Sequence, residues 1–164
     1  VPGKWLINTV YAPTTVTTAE TFLWYSVTPS ISLGLAHLWK QNALRYLASV
    51  RLAAETAKSP GFYASAGVQG IGTGNPGFSA TAEKNFQLDG VRVNAFAGLG
   101  FRTNESHFHP VGGVKFEFAE RITLGLQWEG HHAHPFVTKG FGPFIAGVYL
   151  IEGKSPGLMF GARF

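Results

Sequence analysis

Hydrophobic and polar positions alternate with a period of two along most of this chain, the signature of strands rather than helices. The segment 43–55 is the clearest case. One face reads Leu44, Tyr46, Ala48, Val50, Leu52 and Ala54; the other reads Ala43, Arg45, Leu47, Ser49, Arg51, Ala53 and Glu55. A helix would scatter these arginines around its cylinder, whereas a strand gathers nearly all the polarity on one side. The alternation recurs elsewhere. Ile31, Leu33, Leu35 and His37 oppose Ser32, Gly34, Ala36 and Leu38. Val91, Val93, Ala95, Ala97, Leu99 and Phe101 oppose Arg92, Asn94, Phe96, Gly98, Gly100 and Arg102. Ile122, Leu124, Leu126 and Trp128 oppose Thr123, Gly125, Gln127 and Glu129.

Clusters of Pro, Gly, Asn and Asp separate these runs. They include Thr28-Pro29-Ser30, Lys58-Ser59-Pro60-Gly61, Gly74-Asn75-Pro76-Gly77, Asp89-Gly90 and Gly153-Lys154-Ser155-Pro156-Gly157. Such residues supply turn angles or cannot continue a ladder. Strands are predicted at 4–12, 20–28, 30–40, 43–56, 61–72, 77–87, 90–103, 107–118, 121–132, 142–152 and 156–164. Regularly spaced strands with such turns mean a sandwich or a barrel. The count is odd, while bacterial single-chain membrane barrels are even-numbered. Either Trp5–Ala12 is not a barrel strand, or His134–Gly140 hides a short one. The expectation is an all-β, closed antiparallel transmembrane barrel of ten or twelve strands in a single domain, 1–164.

Composition decides which face is the core. Charged residues are 13% of the chain and hydrophobic ones 45%, against about 25% charged in soluble domains. The face opposite the apolar one is rich in Gly, Ala, Ser and Thr with isolated charges. That suits the lining of a small barrel better than a surface in free water. No segment approaches the roughly 20 apolar residues of a spanning helix. A membrane-spanning form must therefore use strands, because only helices and closed barrels satisfy their backbone groups in lipid. Trp5, Trp24, Tyr25, Trp39, Tyr46 and Trp128 fall near strand ends, where interfacial aromatic girdles belong. A lipocalin-like carrier of apolar ligands would turn its apolar face inward, and the polar face speaks against it.

The chain resembles bacterial outer-membrane proteins on three further stretches. The last, Leu158-Met159-Phe160-Gly161-Ala162-Arg163-Phe164, alternates apolar residues and finishes in an aromatic. In that superfamily this pattern is read by the barrel-assembly machinery. Residues 25–35 and 118–126 look like strand pairs joined by tight periplasmic turns. The resemblance covers nearly the whole chain and singles out no functional family. It implies an outer-membrane location in a Gram-negative-type bacterium, contact with outer-membrane lipids and lipopolysaccharide, and a possible homo-oligomer or envelope complex. A start at Val1-Pro2 without Met suits an exported protein after signal removal.

The charges expected inside are Arg45, Arg51, Arg92, Arg102, Lys115 and Arg163, with Glu55, Glu83, Glu117 and Glu129. They either line a narrow, mildly anion-preferring lumen or pair into a network that plugs it, since buried charges must pair. Classical porin conductance is not expected, because water-filled channels need about 16 strands. A porin-like or structural envelope role follows, without catalysis and without a cofactor.

Two other chemistries stay open. His107 and His109 are two apart, while His131, His132 and His134 end a later strand. If both groups share a rim, up to five imidazoles converge, and imidazole suits zinc, copper, nickel and haem iron. The spacing matches no recognised zinc motif. Ser106-His107-Phe108-His109 with Glu105 or Glu129 also offers the residue types of a lipid-A-modifying acyl transferase, though the order fits no such family. Cysteine is absent, which excludes thiolate sites and disulfides. The net charge of +4 comes without a basic run, so nucleic acid is not an expected partner.

Overall fold

The computed structural model describes residues 3–164; the Val1-Pro2 start lies outside the described residues. Twelve strands follow in chain order: β1 (Trp5–Tyr11), β2 (Ala19–Thr28), β3 (Ile31–Leu38), β4 (Ala43–Ala53), β5 (Gly61–Val68), β6 (Pro76–Leu88), β7 (Val91–Arg102), β8 (Phe108–Glu117), β9 (Ile122–Trp128), β10 (Ala133–Phe141), β11 (Phe144–Ile151) and β12 (Ser155–Arg163). Each pairs antiparallel with its sequence neighbours, and β1 closes on β12 through Leu6↔Arg163 to Tyr11↔Leu158. Closure leaves no unpaired sheet edge. Among the described residues, no helix is long and apolar enough to cross a membrane.

The strand count resolves to twelve. Trp5–Tyr11 is a barrel strand, and the hidden one is β10, longer than the expected His134–Gly140. Its turn to β11 is only Gly142-Pro143, with Gly142 at φ +56°. Pro135 had made β10 hard to see, because proline cannot donate to a ladder. It is tolerated here because pairing with β11 begins only at Phe136. Pro110 in β8 follows the same rule, since pairing with β9 begins at Gly112. A two-residue hairpin also joins the two longest strands. Asp89 and Gly90, at φ +45° and +82°, connect β6 to β7 in the two-residue primed-turn manner that suits strand twist.

Directly opposed residues share a face, so the register traces the inner wall around the ring. One row runs Ser26, Ser32, Ser49, Ser65, Ser79, Gly100 and His109. Small residues dominate it, and Ser65 donates to Ser49 at 3.2 Å. Larger inward groups face glycines: Phe96 lies opposite Gly113, and Phe136 opposite Gly125. A Cβ on Gly125 would enter the Phe136 ring.

The outer face carries Leu33, Leu35, Leu44, Tyr46, Phe62, Phe78, Leu99, Leu124, Leu126, Leu158 and Phe160, all exposed. In β12 burial alternates from Ser155 to Phe160: Ser155, Gly157 and Met159 are buried, and Pro156, Leu158 and Phe160 exposed. The accessible surface is 9282 Å², against about 8,000 Å² for a compact soluble chain of this mass. The excess reflects a hollow, apolar-coated shell in place of a packed core. Two readings of the faces are corrected. Trp24 opposes Leu6 and Gly34 and lies on the inner face, not in an outer girdle. A bulge at Leu52 moves Ala53 to the outer face opposite Phe62.

Candidate functional site

The two mouths of the barrel differ. One collects the chain ends and the connections 29–30, 54–60, 89–90, 118–121 and 142–143. The other collects 12–18, 39–42, 69–75, 103–107, 129–132 and 152–154. The first is called the terminus end here, and the second the loop end.

A cavity of about 630 Å³ occupies the terminus half of the lumen. Its walls include Asn8, Glu83, Asn85, Arg92, Asn94, Lys115, Glu117, Arg121 and Arg163. Asn94 donates to Glu83 at 2.6 Å and to Asn85 at 3.0 Å, and Arg92 approaches Glu117 at 3.6 Å. Among the described residues no carboxylate pairs with Lys115 or Arg163. Four basic side chains (Arg92, Lys115, Arg121, Arg163) thus face two acidic ones (Glu83, Glu117), a basic bias of two.

The loop end is shut. Residues 69–75 leave β5, fold inward and return as β6. Gln69 donates to the carbonyl of Asn75, and the Thr73 hydroxyl holds the carbonyls of Gln69 and Gly70 at 3.0 and 2.7 Å. At the tip, Ile71 packs on Val10, Ala12, Ile151 and Met159. Those residues belong to, or adjoin, β1, β11 and β12, on the far side of the ring from β5 and β6. The loop therefore spans the whole mouth. Thr17 donates its backbone N–H to Gly72, and its hydroxyl donates to the buried Glu20 at 3.2 Å. Gly70, at φ +87°, passes so close to Arg102 and Glu129 that a side chain there would strike both.

Beside this plug stands an ionic cluster. Arg102, at the end of β7, pairs with Glu129 and reaches Glu105 at 3.8 Å. Glu105 Oε1 meets His131 Nε2 at 3.1 Å, and Glu105 Oε2 meets His109 Nδ1 at 3.3 Å and His107 Nε2 at 4.0 Å. Glu129 Oε1 accepts from the His132 backbone N–H at 2.8 Å, with His132 Nδ1 3.2 Å away. His134 stands apart on the inner face and accepts from the Glu152 N–H at 2.9 Å. Four imidazoles thus gather around Glu105 and Glu129, and the fifth points elsewhere. His107 lies in the turn before β8, exposed, while His109 is buried on the inner wall.

The ten charges read from the sequence fall into four places. Glu83, Arg92, Lys115, Glu117 and Arg163 line the cavity. Arg102 and Glu129 sit in the shut end. Arg45 and Arg51 share the inner face of β4 but stand outside the cavity walls. Glu55 is corrected: it lies in the 54–60 connection, where it accepts from Asn85 at 2.7 and 3.1 Å and faces Lys84 at 3.4 Å. The Asn85 side-chain amide and backbone N–H, with Lys84 behind them, hold its carboxyl below the usual range. Arg121 was missed because it falls in a short 3₁₀ turn, Ala119–Arg121, outside any alternating run. Ser106 makes no hydrogen bond to an imidazole among the described residues.

These features define a closed twelve-stranded antiparallel barrel with one plugged mouth and one polar cup. Comparison of the chain with protein families, curated proteins and solved structures finds no match.

Proposed function

We propose that this protein is a structural β-barrel of the bacterial outer membrane whose lumen does not conduct in its resting form. The observation that carries the reading is the pairing of an apolar exterior with a loop that crosses one mouth. Each exposed Leu or Phe forfeits about 1.5–3 kcal/mol if left in water instead of an apolar medium. An outward coat of such residues, repeated around the ring, is stable only against lipid. Trp5 and Tyr25 pack with their rings tilted and centroids 4.6 Å apart at one end, and Trp39 and Trp128 are exposed at the other, as interfacial belts require. Lipopolysaccharide and phospholipid are then its immediate partners, and the barrel-assembly machinery inserts it through β12. The basic cup would face the periplasm, because termini and short turns gather at that mouth.

Planar-bilayer recording of the detergent-purified chain tests the reading. The expected result is a silent bilayer with insertion verified by protease protection. Discrete current steps from the unaltered protein would overturn the closed lumen. A monodisperse protein without detergent would overturn the membrane assignment itself.

A further inference from the structure

We infer that Glu105, His107 and His131 bind a divalent transition-metal ion at the loop end, with His109 as a fourth donor. The site is defined by the rim geometry and stands whether or not the barrel conducts. One donor atom from each of the first three lies within 4.8 Å of the others. Two ligands held tetrahedrally at 2.0–2.1 Å from zinc stand about 3.4 Å apart. The observed separations of 3.1, 3.3 and 4.0 Å from the Glu105 oxygens bracket that value. Glu105, His107 and His131 lie in the 103–107 and 129–132 connections, so rotation of their side chains closes the set on the buried His109.

His109 supplies the independent observation. It is 4% exposed, and neither ring nitrogen has a hydrogen-bond partner. Glu105 Oε2, which faces it, has none either. Buried polar atoms are paired in native proteins as a rule. A cation between the imidazole Nδ1 and the carboxylate would satisfy both at once. Gly130, at φ +105°, lets the chain pass directly over the His109 ring, where any side chain would collide with it. His131 Nδ1 stands 3.9 Å from Glu129 Oε2, close enough that a small ring rotation would place that carboxylate behind the imidazole, as it stands behind metal-binding histidines. Three carboxylates, Glu105, Glu129 and Glu152, lie on or beside the cluster, with Arg102 and Lys154 as basic partners.

The donor set selects the class of ion. Imidazoles with one carboxylate suit zinc, copper or nickel. Calcium and magnesium prefer shells of oxygen. Haem would need an apolar slot, and the neighbours here are carboxylates and an arginine.

The test is equilibrium dialysis of the full chain in detergent against Zn²⁺, with Mg²⁺ as control. Equimolar zinc and negligible magnesium are expected. Glu105→Gln and His131→Ala should each weaken zinc by about a hundredfold, since changes one layer behind the ligands already cost about 10–100-fold. His107→Gln keeps the decision clear, because His107 is 64% exposed and its loss leaves the barrel folded. It should weaken zinc likewise, while His37→Ala, outside the cluster, should not. Failure to bind zinc, or binding unchanged in His107→Gln and His131→Ala, would overturn the site.

Discussion

Arg92 and Arg102 stand on the same face of β7, one at each end. The Arg92 side chain is 63% exposed, and its partner Glu117 44%. Arg102 and its partner Glu129 are both 8% exposed. At the terminus end water enters the cup, so Lys115 and Arg163 need no carboxylate. Around Arg102 and Glu129 at the loop end water is excluded, and each of these charges must find its opposite. Arg102 accordingly touches two carboxylates. The difference arises because residues 69–75 cross only one mouth. Burial, more than composition, sets what each charge does.

The sharpest way to break this comparison is to remove the plug. Replacing 69–75 by a two-residue turn should convert a silent protein into one that gives discrete current steps. Reversal potentials in asymmetric salt should then favour anions, because Arg92, Lys115, Arg121 and Arg163 outnumber Glu83 and Glu117. Lys115→Glu in that background should shift the reversal potential toward cations. If the shortened protein stays silent, the Arg102–Glu129 cluster closes the lumen without the loop.

The next largest effect contrasts the two arginines. Arg102→Ala leaves Glu105 and Glu129 facing one another without their cation, and stranding a buried charge costs about 3–5 kcal/mol. Arg92→Ala breaks a solvated pair worth about 0–1 kcal/mol. Denaturant unfolding in detergent, followed by heat-modifiable gel mobility, measures both. Equal losses would mean that the loop end is as wet as the cup.

Much of the barrel was legible because its period is two. The inward positions of Arg45, Arg92, Lys115 and Arg163 follow from counting along single strands. What depended on neighbours was not legible. The Leu52 bulge turned Ala53 outward through its pairing with β5. Trp24 reads as an interfacial aromatic until Leu6 and Gly34 are seen beside it. The segment 69–75 looks like turn punctuation, since nothing local says that Ile71 reaches the opposite wall. The histidines showed as two groups. Only the β8–β9 register brings 105–109 against 129–132, and His134 leaves the cluster because β10 begins at Ala133 and turns it inward.

Where the two halves meet, Gly125 and Phe136 offer a smaller test. Gly125→Ala would press a methyl into the Phe136 ring, and overpacking of this kind costs about 1–3 kcal/mol. Phe136→Leu in the same chain should restore most of the loss. Without that rescue, the penalty would come from the backbone of β9 and not from the ring.

The smallest effect belongs to the wet end, at Glu55. Its carboxyl titrates below the ordinary 4.5 because the Asn85 side-chain amide, the Asn85 N–H and Lys84 favour the charged form. A lowered carboxylate adds stability above its unfolded pKa and loses it as pH falls through the folded value. The wild type should therefore exceed Glu55→Gln in stability near neutrality, and the two should converge in acid. Carbon-detected NMR of the Glu55 carboxyl reads the titration directly. Asn85→Ala removes the side-chain donor and keeps the backbone one, so the midpoint should rise only part of the way toward 4.5. Glu55 keeps part of its side chain in water, and screening keeps the stability change small, as it does for exposed pairs. A midpoint that does not move in Asn85→Ala would assign the shift to the Asn85 backbone N–H and Lys84, and not to the side-chain amide. Lys84→Met separates those two: a midpoint that rises in that variant would mean that the terminus end owes part of its order to charge, as the loop end does, and the contrast between the two mouths would narrow.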